Sequence, residues 1–209
     1  MIDQTNCITL KGSAQIVAQY LYYAMNSILY QRGIYASKHF VCEEKYGIVL
    51  LVSKNKNVRT FFDKILNIVE EWLPNRKIKR ISMVIIEVAT RKPLERWDFT
   101  VENGDDAHPG GNSELFSTKS LKATQAEIRN VMRQITSSIS FLPLIENRAT
   151  FDVLIYPKPS EYNKHLPAQW EWKSANDITI ANSQLVRMQS FSTGIDKVDT
   201  AVVYRMIEE

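Results

Sequence analysis

The sequence is poor in the residues from which metal sites, disulfide frameworks and nucleophilic active sites are built. Its two cysteines, Cys7 and Cys42, show no metal-ligand spacing, and a chain of 209 residues is too long to suggest a small disulfide-stabilised domain. The three histidines, His39, His108 and His165, lie far apart and in no metal or nucleophile signature. We therefore expect a protein without catalytic activity, metal or cofactor, in a reducing intracellular setting.

Long apolar runs and charge of one sign are also scarce. The N-terminus lacks the basic and apolar regions of a signal peptide, and no apolar run reaches the length that spans a bilayer. The formal net charge is only +3, which argues against nucleic acid binding unless basic residues are concentrated in a patch. The one cluster, "RKIKR" at 76–80, suits the entrance to a strand. We expect a soluble, unsecreted protein with no nucleic acid partner and no membrane insertion.

The composition that remains is that of an ordinary globular protein. Hydrophobic residues make up 44% of the chain and charged residues 23%, which excludes wholesale disorder and a fibrous class. No repeat or low-complexity segment is present. A chain of this length can form one core, so we predict a single domain.

Three segments have the apolar spacing by threes and fours that is typical of amphipathic helices. The first covers 13–32, where Ser13 can cap the start and Gly33 suits a left-handed stop. The second covers 58–73 and the third 120–142. The predicted core face of the third helix comprises Ile128, Val131, Met132, Ile135, Ile139 and Leu142.

Phe141 falls off this core face, on the flank of the third helix that carries Arg133, Ser137 and Ser140. An aromatic side chain beside an arginine on a polar helix face is typical of an interaction hot spot. Alternatively, Phe141 turns inward near the helix end and completes the core. The residues alone leave both interpretations open.

A change to period two predicts strands in the middle of the chain. The segment 80–89 is apolar on both faces, which indicates a central strand, and the alternating segment 94–102 forms a hairpin with it. A short apolar run at 46–53 is a further strand. The last strand before the C-terminal region covers 149–157 and places Phe151, Val153 and Ile155 on one face.

The C-terminal stretch 186–209 is predicted to be a β-hairpin with its turn at Gly194. One face of its second strand carries Val198, Thr200, Val202, Tyr204 and Met206. Small or apolar residues occur on the other face as well, so the register and the docking edge of this hairpin are only weakly dictated by its polarity.

Two stretches show no periodicity. The segment 103–120 is rich in turn residues, and we expect it to be a mobile surface loop within the domain. The segment 158–182 is irregular and contains Trp170 and Trp172, whose placement favours anchoring of a loop or a partner.

Several motifs in collinear order resemble the HORMA-domain proteins of the mitotic spindle-assembly checkpoint, the two-conformer members of the mitotic arrest deficient family. The resemblance extends from about Ile8 to Arg205, although the two aperiodic stretches contribute little to it. The motifs are "NSILYQRGIY" (26–35), "LERWDF" (94–99), "EIRNVMRQIT" (127–136), "SFLPL" (140–144), "FDVLIYP" (151–157) and "VRMQSFST" (186–193).

The resemblance implies an α+β fold, with a central antiparallel sheet, three main helices on one side and a mobile C-terminal hairpin. One HORMA domain would cover 8–205, and its safety belt would cover about 158–209. In an open conformer the hairpin occupies one edge of the sheet, and in a closed conformer it occupies the opposite edge and traps a partner peptide. Such a switch requires two packings within a few kcal/mol of each other.

The family pattern also implies roles for particular residues. The partner peptide would add to an edge strand that contains Phe151, Val153, Leu154, Ile155 and Tyr156. The safety belt would include Trp170, Phe191, Val198, Val202 and Tyr204. Pairing of open with closed conformers, and docking of a HORMA-like silencing adaptor, would use Arg133, Gln134 and Phe141, which favours the exposed interpretation of Phe141.

By the same resemblance, the chain is expected to be a checkpoint adaptor in the nucleus, the cytoplasm and at unattached kinetochores or the spindle. Its expected partners are a coiled-coil kinetochore protein, the activator subunit of the anaphase-promoting complex, a pseudokinase-like checkpoint protein, the silencing adaptor and a second copy of itself. An AAA+ ATPase would remodel it through 1–10. The alternative is a HORMA adaptor of another pathway, such as a translesion polymerase subunit or a meiotic chromosome-axis protein.

Overall fold

The computed structural model describes residues 8–103, 116–158 and 178–206. Across these ranges the helices are α1 (Leu10–Gln31), α2 (Lys56–Trp72) and α3 (Leu121–Ser137). The strands are β1 (Ile8–Thr9), β2 (Phe40–Lys45), β3 (Ile48–Ser53), β4 (Ile78–Glu87), β5 (Pro93–Asn103), β6 (Phe116–Ser117), β7 (Ala149–Pro157), β8 (Ser183–Arg187), β9 (Phe191–Ser192) and β10 (Asp196–Arg205).

The main sheet has the strand order β7-β4-β5-β10-β8, and the short β9 pairs with the start of β10. Every pairing in this sheet is antiparallel. β4 is flanked by β5 and β7, which confirms the central strand predicted from its two apolar faces. Two small ladders, β1 with β6 and β2 with β3, lie outside the main sheet.

The core lies between the helices and one face of the main sheet. α1 is the most deeply buried of the three helices. Its Tyr20 meets Phe99 and Phe191 edge to face, at ring-centroid distances of 5.9 and 4.7 Å. The Tyr20 hydroxyl also hydrogen-bonds the Thr200 hydroxyl at 2.7 Å. α1 therefore contacts β5, β9 and β10 at once. The α+β class with helices on one side of an antiparallel sheet is confirmed.

The helix starts differ from the prediction by a few residues. Thr9, rather than Ser13, caps α1, because its hydroxyl accepts a hydrogen bond from the Gly12 N–H at 3.0 Å. Ser13 is buried in the first turns of α1 and bonds the C-terminal hairpin instead. Gly33 has φ +64, so the predicted left-handed stop is confirmed.

α3 ends earlier than predicted, and a 3-10 turn covers Ser138–Ser140. The tighter turn rotates the following residues relative to an α-helical wheel. Ser138 and Leu142 face inward as a result, whereas Ile139 is 55% exposed. The placement of Ile139 on the core face is therefore wrong, and the other five residues of that face are buried.

Other elements follow the period of the sequence closely. The predicted strands at 80–89 and 149–157 correspond to β4 and β7, and the hairpin partner at 94–102 to β5. β2 was not predicted, since its sequence "FVCEEK" shows no clean alternation; half of its residues are exposed. The loop expected at 103–120 and the irregular segment with Trp170 and Trp172 lie mostly outside the described residues. In the described part, no helix is both long and apolar enough to cross a membrane, and no cluster of metal-ligating side chains occurs.

Candidate functional site

β7 is an edge strand of the main sheet. It pairs with β4 on one side, and no other described strand lies on its other side. The N–H of Val153 donates to the carboxylate of its neighbour Asp152 at 2.8 Å, so this N–H points away from β4. Because backbone direction alternates along a strand, Phe151 and Ile155 present their backbone groups to the same open side. The edge can therefore accept a further strand.

The helix-facing side of this edge is apolar. Phe151 packs in an aromatic cluster with Tyr35, Phe61 and Phe62, at ring-centroid distances of 6.4, 5.7 and 5.7 Å. Val153 is buried, whereas Phe151 and Ile155 are only partly buried. An added strand would therefore cover apolar surface on this side as well as satisfy backbone groups.

The other face of β7 is more polar. Leu154 is partly exposed there. The ring of Tyr156 is buried beneath the Arg80 guanidinium, whose carbon lies 4.1 Å from the ring centroid, a favourable cation–π arrangement. The five residues predicted for the partner strand thus lie on one element but divide between the two faces of the sheet.

The C-terminal hairpin occupies the edge of the sheet that is farthest from β7. β10 runs along β5, from Asp196 opposite Asn103 to Tyr204 opposite Glu95, and β8 covers its outer side. Of the predicted belt residues, Phe191, Val198, Val202 and Tyr204 are all buried here. The fifth, Trp170, lies outside the described residues.

A buried polar cluster fixes the start of β10. The Asp196 carboxylate accepts hydrogen bonds from the Ser13 hydroxyl at 2.5 Å and from the Asn103 amide at 2.8 Å. Burial raises the pKa of this carboxyl, and the bonds from Ser13 and Asn103 lower it in part. We refer to Ser13, Asn103, Thr193 and Asp196 as the Asp196 cluster. Sequence reasoning missed it, since its members lie far apart along the chain.

The end of α3 presents an exposed surface. Arg133 is exposed, and Phe141 is 43% exposed, so Phe141 does not turn inward to complete the core. Ile139 and Leu144 are exposed next to it, at 55% and 77%. We call these four exposed residues of α3 and the segment after it the α3 surface. Exposed apolar side chains together with an arginine are the composition of a protein interface.

The hairpin also contacts the side of α3. The backbone N–H of Gln189 donates to Gln134 Oε1 at 2.7 Å. Closer to the start of α3, the Ser192 N–H donates to Glu127 at 2.9 Å, and Thr124 donates to the Ser192 carbonyl at 3.2 Å. The side chain of Gln134, which is partly exposed, thus contacts the hairpin connection.

A buried ion pair contacts the segment that follows α3. Arg32 at the end of α1 contacts Glu95 of β5 at 2.6 Å, and both side chains are 3% exposed. Glu95 also accepts the indole N–H of Trp97 at 3.1 Å, and Arg32 donates to the Pro143 carbonyl. Nothing in the local sequence indicated this pairing, which joins the sheet to the segment that carries Phe141.

Comparison with known proteins identifies relatives over nearly the whole chain. The HORMA domain family matches residues 13–196. The human mitotic spindle assembly checkpoint protein MAD2A is 39% identical over 95% of this chain and 93% of its own length. The mitotic spindle checkpoint component MAD2 of Saccharomyces cerevisiae is 36% identical over 95% of this chain and 97% of its own length.

Solved structures give the same result. A chain of a crystal structure of the mitotic checkpoint complex superposes with a TM-score of 0.80 at 34% identity, over 93% of this chain and 99% of that chain. The Caenorhabditis elegans protein HTP-2, bound to a HIM-3 closure motif, superposes with a TM-score of 0.71 over 94% of this chain and 92% of its own. At 13% identity, the second likeness concerns the fold alone.

Proposed function

This chain belongs to the HORMA domain family, and from that premise we propose that it functions by adding a strand of a partner protein to the free edge of β7. Its checkpoint relatives, and its likeness to a chain of the mitotic checkpoint complex, assign it the role of an adaptor in the mitotic spindle checkpoint. The observation that carries the proposal is the open side of β7, where the N–H of Val153 points away from β4.

The physical basis is strand addition. A partner segment in extended conformation exchanges backbone hydrogen bonds with alternate residues of β7 along its length. Its apolar side chains on one face contact Phe151, Ile155 and the neighbouring Phe61. The Asp152 carboxylate already accepts the Val153 N–H, so a partner strand would replace this one side-chain bond and pair the remaining outward groups of β7. We therefore expect a partner segment with apolar residues at alternate positions.

The position of the hairpin supports a two-state mechanism. With β10 on the β5 edge, the β7 edge is free of any described strand, as in the closed conformer that the family resemblance describes. In an open conformer the hairpin would occupy the β7 edge and exclude the partner. Since a partner binds only when the β7 edge is free, its binding shifts the population towards the hairpin position seen here.

The partner set that we propose follows the checkpoint role. The chain would bind a coiled-coil kinetochore protein and then sequester the activator subunit of the anaphase-promoting complex, which delays anaphase. A pseudokinase-like checkpoint protein would join that assembly, whereas a silencing adaptor and an AAA+ ATPase that engages 1–10 would reverse it. The chain would act in the nucleus, the cytoplasm and at unattached kinetochores, without catalysis, as one domain over 8–205 with its belt from about 158.

The proposal is tested with Ile155→Pro and its matched control Ile155→Ala. Both variants remove the same side-chain packing, but only proline removes the outward N–H and places its ring where the partner backbone would lie. We expect Ile155→Pro to bind a labelled peptide from the activator subunit at least about tenfold more weakly than Ile155→Ala. Fluorescence anisotropy measures both affinities, and equal affinities would show that the partner does not add to β7.

The α3 surface is proposed to pair open with closed copies of the chain. Phe141→Ala is expected to weaken self-association by about tenfold or more, because exposed aromatic anchors dominate such interfaces. Lys122→Ala, at the opposite end of α3 and also exposed, is the control and should leave self-association unchanged. Sedimentation velocity over a concentration series gives both constants. An unchanged dimer constant for Phe141→Ala would remove this surface from the proposal.

A further inference from the structure

We propose that the Asp196 cluster selects the hairpin position on the β5 edge, by joining the first residue of β10 to α1 and β5 through hydrogen bonds that exist only in that position. The inference rests on the proposed function, in which the hairpin can leave this edge. The residues of the Asp196 cluster would decide between the two positions of the hairpin.

The cluster draws its members from both sides of the docking interface. Ser13 belongs to α1 and Asn103 to β5, whereas Thr193 and Asp196 belong to the hairpin. The Ser13 hydroxyl lies 2.5 Å from Asp196 Oδ2 and 2.6 Å from the Thr193 hydroxyl, and the Asn103 amide nitrogen lies 2.8 Å from Asp196 Oδ1. Both carboxylate oxygens are thus occupied by donors that lie outside the hairpin.

The hairpin side of the cluster is organised by the turn before β10. Thr193 Oγ1 accepts the backbone N–H groups of Ile195 at 3.2 Å and of Asp196 at 2.9 Å. These bonds hold the Asp196 backbone beside its own turn, so the carboxylate enters the interface in one orientation. The turn and the carboxylate therefore dock as a unit.

If the hairpin left the β5 edge, the hydrogen bonds between its residues and those of α1 and β5 would break. Ser13, Asn103, Thr193 and Asp196 are all buried, at 0%, 7%, 0% and 2% exposure. Without the hairpin, the Ser13 and Asn103 donors would lose the acceptor that they share. A shift by one residue would present Ile195 or Lys197 in place of the carboxylate and leave the same donors unpaired. The cluster thus fixes the register as well as the edge.

Among the described residues, two cations act on the cluster. Lys158, at the end of β7, donates to the Asn103 side-chain oxygen at 2.6 Å and orients the amide towards Asp196. Lys158 and Arg76 are the cations whose charge lowers the pKa of Asp196, but burial has the largest effect, and the net direction is upward. Ser13, Asn103 and Thr193 carry no charge.

The direction of the pKa gives the pH dependence. A carboxyl whose pKa is raised on docking binds its proton more tightly in the docked hairpin than in water. The contribution of this proton to docking is therefore complete below the ordinary pKa of an aspartate. It is lost as the pH rises through the raised pKa. The hydrogen bonds from Ser13 and Asn103 act in the opposite direction, because they favour the ionised form of the carboxyl and lower its pKa in part.

The test compares Asp196→Ala with Asp199→Ala, its matched control on the same strand. Asp199 is paired with Lys197 on the solvent side, where its side chain is 39% exposed, and such pairs contribute little. In the intact chain, hydrogen exchange of backbone amides is followed separately in β10 and in β4. We expect Asp196→Ala to accelerate exchange in β10 by about tenfold with β4 unchanged, and Asp199→Ala to alter neither.

Two results would overturn the inference: unchanged exchange in β10, or equal acceleration in β10 and β4, which would indicate a general loss of stability. Ser13→Ala provides a second route, because alanine is a good helix former and removes only the donor. Combined with Asp196→Ala, it should add far less than its own effect, since both variants open the same cluster. Additive effects would contradict a shared function.

The pH dependence of docking is tested with Asp196→Asn, whose side chain cannot ionise. In the unaltered chain, the ratio of the β10 exchange rate to the β4 rate should fall as the pH is lowered from about 7 to about 4. The ratio should be flat in Asp196→Asn, and a persisting slope would assign the pH dependence to another group. These exchange measurements need no partner peptide, so they are independent of the binding result for Ile155→Pro.

Discussion

Glu95→Ala is expected to lower the free energy of unfolding by about 3 to 5 kcal/mol, because it leaves the buried Arg32 guanidinium without its counter-ion. The two side chains are 2.6 Å apart and 3% exposed, so the guanidinium is shielded from bulk solvent that could replace the lost partner. The Trp97 indole N–H loses its acceptor in the same variant. Urea denaturation followed by tryptophan fluorescence measures the change.

The control for this prediction is Glu102→Ala on the same strand. Glu102 pairs with Lys197 at 3.0 Å, but the two side chains are 56% and 44% exposed, so its removal should change the free energy of unfolding by less than about 1 kcal/mol. A double replacement, Arg32→Met with Glu95→Leu, removes both charges and should recover most of the loss. A loss below about 1 kcal/mol in Glu95→Ala would mean that Arg32 finds another partner or water.

Gly194→Ala is expected to destabilise docking of the hairpin by at least about 2 kcal/mol. Gly194 has φ +84, and an added Cβ would lie 1.9 Å from Ser117 Oγ and 2.8 Å from Ser117 Cβ. Both the backbone conformation and the contact with β6 therefore oppose a side chain. Loss of hydrogen-exchange protection in β10, together with urea denaturation, measures the effect.

Gly33→Ala separates the effect of the backbone conformation from that of the contact with Ser117. Gly33 has φ +64, but no heavy atom lies within 4 Å of an added Cβ, so that variant reports the backbone conformation alone, about 1 kcal/mol. Gly194→Ala combined with Ser117→Gly removes the contact and should reduce the loss to a similar value. If Gly33→Ala and Gly194→Ala cost the same, close packing of the turn against Ser117 contributes nothing.

The fold was predictable from the sequence wherever a pattern repeats within one element. α2 and β7 are read from their periods, and the two apolar faces of β4 indicated its central place. The early end of α3 could not be read in this way, because a 3-10 turn and an α-helix carry the same apolar residues, and Ile139 therefore came out on the wrong face. β2 lacked any pattern, since its position depends on β3 rather than on its own residues.

The candidate site was predictable only in part, for a different physical reason. The edge residues of β7 came from the family motif, and the exposure of Phe141 from the helical wheel together with that motif. Ser13 shows the limit: its hydroxyl suits a helix cap, but in the fold it donates to Asp196. Arg32 with Glu95 is similar, because a buried polar pair depends on which elements meet in three dimensions.

The hydrogen bond between Ser13 and Asp196 joins residues 183 positions apart, which has a kinetic consequence. Helices and the β4–β5 hairpin form from neighbouring residues, whereas docking of β10 must close a loop almost as long as the chain. The hairpin is therefore expected to arrive last. A newly folded molecule would then pass through a stage in which β5 and β7 are both open edges. Under the two-state mechanism proposed above, relative rates rather than relative stabilities would decide the first position of the hairpin.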